Sequence, residues 1–360
     1  MNGWQRKSIF THTLKQKMVY KVACIGFGAA NMLFIAYLAS VAPELLSHTV
    51  ILDPYFDGGA LQRYWPTVRS NTTWQQFIDT LRRFKATASY ADQIAALHPL
   101  DQPTPLHVLA RHLREAVEPY VRNAHRIKST LTEVSEGDAA VLRLTYKKPN
   151  GTEHTLQVEK VIFSPGSSPK SMGHSLPTIP LSAALDSRQV GCYVSAGERV
   201  VLFGLAHSGV LIMKNLVDAG CYVSAVYNTP QPFLFARDGE YDGIKQDAAH
   251  IADSVLAGEM PAVELIRWES AEEVQDALLR AKWTAYSIGF ENITPLLVNG
   301  SRQAQKYDPA TAQIARGIYG FGIAYPSFTE IDGRKFWDVS IPSFADHILK
   351  TNILSTVSSE

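Results

Sequence analysis

The residues best placed to do chemistry form an imperfect glycine fingerprint and a later carboxylate. Gly26-Phe27-Gly28-Ala29-Ala30-Asn31 follows the apolar run Tyr20-Lys21-Val22-Ala23-Cys24-Ile25, and small residues then open a helical pattern. A strand that turns through Gly-x-Gly into a helix lets backbone approach a pyrophosphate, which rests on the positive end of that helix. Asn31 stands where the pattern's third glycine would be; that glycine serves helix–strand packing more than phosphate contact. Asp53 stands 22 residues beyond Asn31, at the end of the apolar run Val50-Ile51-Leu52. An acid at that distance is where a ribose hydroxyl pair is held; the lesser alternative is that Asp53 merely starts a turn with Pro54.

A second unit repeats the arrangement 178 residues later, with Arg199–Phe203 as strand and Gly204-Leu205-Ala206-His207-Ser208-Gly209 as turn. Helix Val210–Ala219, a capping Gly220 and strand Tyr222–Tyr227 complete it. Gly204, Ser208 and Gly209 are its candidate phosphate residues. Ala206 puts a methyl where the backbone would approach the phosphate. The strand ends in Tyr227-Asn228, with neither an acid nor an arginine to separate NADH from NADPH.

Between the units, Gly58-Gly59 through Trp65 and then Ser70-Asn71-Thr72 combine close-approach glycines, an aromatic face and small polar groups. That mixture suits a flat, partly polar ring. A turn followed by a helix cap at Ser70–Thr72 would use the same residues.

The apolar pattern predicts strand 20–26, helix 28–40, a helix over 74–97 with Arg82-Arg83 on a solvated face, and helix Leu106–Val121. His107 and His112 read as surface or helix-face histidines rather than metal ligands. Strands 126–135, 140–147 and 155–163 then form a small antiparallel excursion around the turn Pro149-Asn150-Gly151. The excursion ends at Ser164-Pro165-Gly166. Phe233–Gly258 reads as loop and helix, Glu264–Glu269 as strand and Ala271–Arg280 as helix. A strand over Trp283–Glu291 carries Gly289, a glycine-rich aromatic tail runs over 317–326, and Ser343–Leu354 is a terminal helix.

The chain has 360 residues, and its 34 Lys+Arg balance 34 Asp+Glu. That length accommodates two domains, and neutrality gives no reason to expect nucleic acid. Its three cysteines, Cys24, Cys192 and Cys221, form no C-x-x-C pair, which argues against a disulfide framework, a structural zinc site and a paired redox disulfide. No apolar run approaches the roughly 20 residues of a membrane span. Residues 1–18 lack the apolar centre of a secretory signal and read as a loose tail, so a cytoplasmic location is expected.

Together these motifs resemble the two-dinucleotide-binding-domain flavoproteins, in particular the flavin-containing monooxygenase-like group and its pyridine-nucleotide-dependent relatives. The resemblance implies an α/β fold of two Rossmann-like domains, the second inserted in the first. FAD would be bound by 19–180 and 286–360, and NAD(P)H by 181–285. It gives Gly26, Gly28, Asn31, Asp53, Gly59, Trp65, Gly166, Gly289 and Gly322 to FAD. Ser164-Pro165-Gly166 and Ile288-Gly289-Phe290-Glu291 look like the family's two domain crossings, and Gly320–Ala324 like its last flavin-contacting strand and helix start. Asn71 falls where the family's asparagine stands beside the flavin and orients NADP. The family's F-x-G-x-x-x-H run has only a partial echo at Phe163–Gly166, with His174 eight residues after Gly166. The implied activity is NAD(P)H-driven flavin reduction, followed by N- or S-oxygenation of a small molecule. The alternatives are a flavin reductase or oxidase that does not oxygenate, and a non-catalytic nucleotide-binding protein. Substrate and oligomeric state are left open.

Overall fold

The computed structural model describes residues 18–137, 141–233, 236–237, 240–241, 247–292, 297–302, 307–331, 334–351 and 353–356. The tail expectation for 1–17 and part of the loop after Phe233 lie outside the described residues.

The first module opens with β1 (Val19–Ile25), α1 (Ala29–Val41) and β2 (Thr49–Asp53). Their β-branched runs are apolar at consecutive positions, as a strand covered on both faces requires. Val22 and Cys24 point to one core, Ala23 and Ile25 to the other. α1 is apolar on all sides and buried from Ala29 to Leu38, because it lies inside a helical layer rather than on it. That layer contains α2 (Trp74–Arg82), α3 (Lys85–Ala95) and α4 (Leu106–Val121).

Three strands follow: β3 (His125–Lys128), β4 (Thr130–Glu136) and β5 (Leu142–Lys147). β6 (Glu153–Phe163) then does two jobs. Its first half pairs antiparallel with β5, and its second half lies parallel to β1.

The second module is a separate parallel sheet, in the order Val263–Arg267, Tyr222–Tyr227, Arg199–Phe203, Trp283–Tyr286. It consists of β7 (Arg199–Phe203), α5 (His207–Asp218), β8 (Tyr222–Tyr227), α6 (Asp247–Leu256), β9 (Val263–Arg267), α7 (Ala271–Arg280) and β10 (Trp283–Tyr286). The chain then returns to the first module, where β11 (Ile318–Gly320) adds in parallel to β6 and completes the order β3-β2-β1-β6-β11. α8 (Ile341–Thr351) closes over α1. The fold is therefore α/β with two Rossmann-like modules, the second inserted in the first, plus the antiparallel excursion.

Several local expectations are corrected. The helix over 74–97 breaks at Arg83-Phe84; its basic pair lies on an exposed face as expected, in surface ion pairs of Arg82 with Asp79 and Asp92 and of Arg83 with Asp346. Ser70–Thr72 lies in a short strand, and the helix cap is Thr73, which forms a capping box with Gln76. α5 starts at His207, three residues before the expected Val210. His112 is buried, not superficial: it bonds the Tyr90 hydroxyl at 2.7 Å and packs edge-on to Trp74. The strand expected over Trp283–Glu291 stops at Tyr286. Phe290–Asn292 pairs antiparallel with Ser167–Pro169, so the two crossings between modules run side by side. No helix starts at Ala324; the hairpin Ser327–Ile331 with Arg334–Asp338 comes before α8.

Candidate functional site

The two glycine turns are built on one plan. Gly26 has φ +90°, and a Cβ there would overlap the carbonyl oxygen of Ser164. Gly204 has φ +94°, and a Cβ there would overlap the carbonyl oxygen of Ser287. The Gly26 amide donates to Leu52 at 2.8 Å and the Gly204 amide to Val226 at 2.9 Å. Ser164 and Ser287 donate in turn to Ile25 and Phe203. Each turn is thus held by both neighbouring strands, with no room for a side chain.

Beyond the first turn the positions differ in kind. Gly28 has an ordinary backbone, φ −94°, and a Cβ added to it would meet no atom within 4 Å. Open space, rather than conformation, distinguishes it. The α1 amides of Ala29, Ala30 and Asn31 precede the first intrahelical bond, Met32 to Gly28 at 3.0 Å, and no side chain caps them. They provide donors and the positive helix end beside that space. The residues fit a pyrophosphate at this point.

Asn31 replaces the third glycine with a buried brace. Its Nδ2 donates to the carbonyls of Ile25 and Gly26, both at 2.8 Å, and fixes the strand end to the helix. Its Oδ1 and the Ser164 hydroxyl are buried without a partner on either side of the turn. Asp53 also braces. Oδ2 accepts the Phe27 amide at 2.8 Å, and Oδ1 accepts those of Tyr55 and Phe56 at 2.7 and 2.6 Å. With two lone pairs per oxygen, one acceptor position on Oδ2 is left for a ligand.

The segment 57–73 connects the first turn to the second. Gly59, at φ +78°, lies so close that a Cβ would be 2.9 Å from the Gly28 Cα. The Asp57–Arg63 pair, bonded twice at 2.9 Å, holds this loop, and Arg63 also covers the Tyr55 ring. The Arg63 hydrogen bonds lower the Asp57 pKa. Trp65 packs on the second module's core, edge-on to Phe290. The Thr67 hydroxyl donates to buried Asp186 at 3.0 Å, and Arg69 pairs with Asp247 at 2.9 Å. Hydrogen bonds from Arg188, Thr67 and Gln189 hold the Asp186 carboxyl well below the usual carboxylate range. Ser70 and His207 line a small cavity of about 20 Å³ between the modules, and exposed Asn71 comes next.

At the second turn Ala206 takes the place of Gly28, with a matching backbone of φ −73° and ψ −176° and its methyl exposed. Gly209 could not be any other residue without overlapping the Gly204 carbonyl oxygen. The Ser208 and Gly209 amides lie in the first turn of α5, ahead of the bond from Val210 to Ala206 at 3.1 Å.

The remaining glycines among the candidates frame the first module. Gly166 and Gly289 have φ +95° and +92° at the two crossings, and Gly322, φ +86°, faces Ala30 of α1. Sequence reasoning missed Arg63, Thr67, Asp186 and the two serine carbonyls. A backbone carbonyl leaves no mark in a sequence, Thr67 and Asp186 pair across 119 residues, and Arg63 meets Asp57 through the fold of a short loop. Among the described residues no group of three or more His, Cys, Asp or Glu is placed to hold a metal, and no helix is long and apolar enough to cross a membrane.

No protein-family model and no curated protein matches the sequence. Solved structures do match in fold. The chain is similar to a bacillithiol disulfide reductase from Bacillus cereus, with 13% identity, 94% of this chain and 99% of that one covered, and a TM-score of 0.58. An ornithine hydroxylase from Pseudomonas aeruginosa matches at 13% identity, over 92% and 98% of the chains, with a TM-score of 0.56. A thioredoxin reductase from Lactococcus lactis matches at 11% identity, over 92% and 96%, with a TM-score of 0.52. The fold is the one these oxidoreductases share.

Proposed function

We propose that the chain is an FAD-dependent oxidoreductase reduced by a nicotinamide dinucleotide. The observation that carries this reading is that one segment touches both glycine turns: Gly59 packs on Gly28, and Ser70 lines the cavity at His207. Both turns lie at the carboxyl ends of parallel strands, where open α/β sheets bind their ligands. The α1 amides and the space at Gly28 would take the FAD pyrophosphate, and the remaining acceptor on Asp53 would take a ribose hydroxyl. The Ser208 and Gly209 amides would take the second dinucleotide's phosphates. Exposed Asn71, the residue after Ser70, would hydrogen-bond the flavin ring system, the role the motif resemblance gives it.

When bound, FAD supplies two-electron chemistry between a nicotinamide and oxygen or another acceptor. The chain's own work is to bind, align and shield. No nucleophile or paired acid and base was found among the candidates. N- or S-oxygenation of a small molecule is the activity the motif resemblance favours, and the likeness to an ornithine hydroxylase is consistent with it. Reduction without oxygenation is the second reading, favoured by the likeness to two reductases, although this chain has no C-x-x-C pair.

The test is a visible spectrum of the purified protein, before and after reconstitution with FAD, followed by anaerobic reduction with NADH and NADPH. Flavin absorbance that bleaches with either nucleotide supports the proposal. A colourless protein that takes up no FAD overturns it. Coupling of NAD(P)H oxidation to an oxygenated product, against oxidation without one, separates the two readings.

A further inference from the structure

The second module carries, on a neighbouring strand, the cation that its own strand end lacks. β8 ends in Tyr227-Asn228, without charge. The register places Arg267, the last residue of β9, directly beside Tyr227. The next residue, Trp268, donates its amide to the Tyr227 carbonyl at 2.7 Å and is 41% exposed as a residue. Its indole meets the Phe203 ring edge-on, with centroids 6.0 Å apart, and Phe203 immediately precedes the Gly204 turn. An exposed indole and a guanidinium therefore stand together at the carboxyl edge, on the β8 side of the turn.

This is the side on which the adenosine half of a dinucleotide extends from a strand–turn–helix unit. An exposed tryptophan there offers a face to a purine. Arg267 is half-exposed and only loosely engaged, its Nε 3.5 Å from Glu269. A guanidinium with spare donors suits a phosphate dianion, whereas a ribose diol is normally met by an acid.

We propose that Arg267 and Trp268 form the adenosine subsite of the second module and select the 2′-phosphorylated dinucleotide, NADPH, over NADH. The inference rests on the function proposed above. Arg267 binds the 2′-phosphate, Trp268 covers the adenine, and Glu269 competes for the same guanidinium.

The experiment measures binding of adenosine 2′,5′-bisphosphate and of 5′-AMP to the purified, FAD-reconstituted protein by calorimetry, with flavin content recorded on every sample. The bisphosphate is expected to bind at least about tenfold tighter, the value of one charge-assisted hydrogen bond. Arg267→Ala should remove that preference and leave 5′-AMP binding within about twofold. Trp268→Ala should weaken both ligands, and Glu269→Gln should tighten the bisphosphate alone. Equal binding of the two ligands by the yellow protein overturns the assignment, as does an Arg267→Ala variant that weakens both alike or neither. A colourless protein that takes up no FAD overturns the proposed function and this inference with it.

Discussion

Oδ2 of Asp53 accepts the backbone amide of Phe27 at 2.8 Å, tying the end of the second strand to the turn that follows the first. The other oxygen holds Tyr55 and Phe56, so a single carboxylate organises two loops. Asp53→Ala leaves these amides without their acceptor, in a residue environment only 6% exposed. The expected loss is about 2–4 kcal/mol in urea unfolding of the apoprotein, before any ligand is considered. An apoprotein as stable as wild type would show that Asp53 does not brace the turn.

Gly26 and Gly28 should fail in different ways. Gly26→Ala forces an L-residue to φ +90° and into the Ser164 carbonyl, and should cost stability by about 2 kcal/mol or more. At position 28 an added Cβ meets no atom within 4 Å, so Gly28→Val should change the thermal midpoint of the apoprotein little while FAD uptake is lost. Undiminished flavin content in Gly28→Val would rule out the pyrophosphate site.

His98 and His112 should make folding sensitive to mild acid. His98 stacks on Trp74, and His112 lies against Tyr90 and Trp74, with Glu115 and Arg111 at the edge. Burial is the main cause lowering both pKa values; Arg111 lowers them further, and Glu115 opposes this at His112. The unfolded chain therefore binds protons first, so stability falls as pH drops below about 6.5. Urea midpoints measured from about pH 7.5 to about pH 5 should decline, and His112→Asn should flatten the decline. An unchanged slope in the variant would remove His112 from this account.

The three thiols should react unequally. Cys24 and Cys221 are buried and Cys192 is exposed. Burial pushes the Cys24 thiol up to about 12, leaving little thiolate at neutral pH. Titration with an aromatic disulfide should find one fast thiol in the native protein and the other two only after denaturation. Two fast thiols would contradict the burial of Cys24 or Cys221.

Most of the scaffold is legible in the sequence because it depends on local patterns. Runs such as Val50-Ile51-Leu52 and glycines at fixed offsets specify strand, turn and helix within a few residues of each other. What is not legible depends on partners far away in the chain. Asp53 has the spacing of a ribose acid, and its bonds to Tyr55 and Phe56 are those of a local turn, but its bond to the Phe27 amide spans 26 residues and leaves no mark in the sequence. The break at Arg83-Phe84 has no proline or glycine to announce it, and His112 is buried by Trp74 and Tyr90 from separate helices. Arg267 escaped notice because a strand-end search looks along the chain, whereas the sheet places it sideways from Tyr227.

The contact of Gly26 with Ser164, repeated by Gly204 with Ser287, is one-sided in what it asks of heredity. One partner is a carbonyl, which every amino acid supplies; the other is a missing side chain, which only glycine supplies. Codons 164 and 287 can therefore drift without loosening either turn, while codons 26 and 204 cannot. Two modules sharing this joint could diverge until almost nothing but four positions' worth of geometry remained in common, with just two of the four written in the gene.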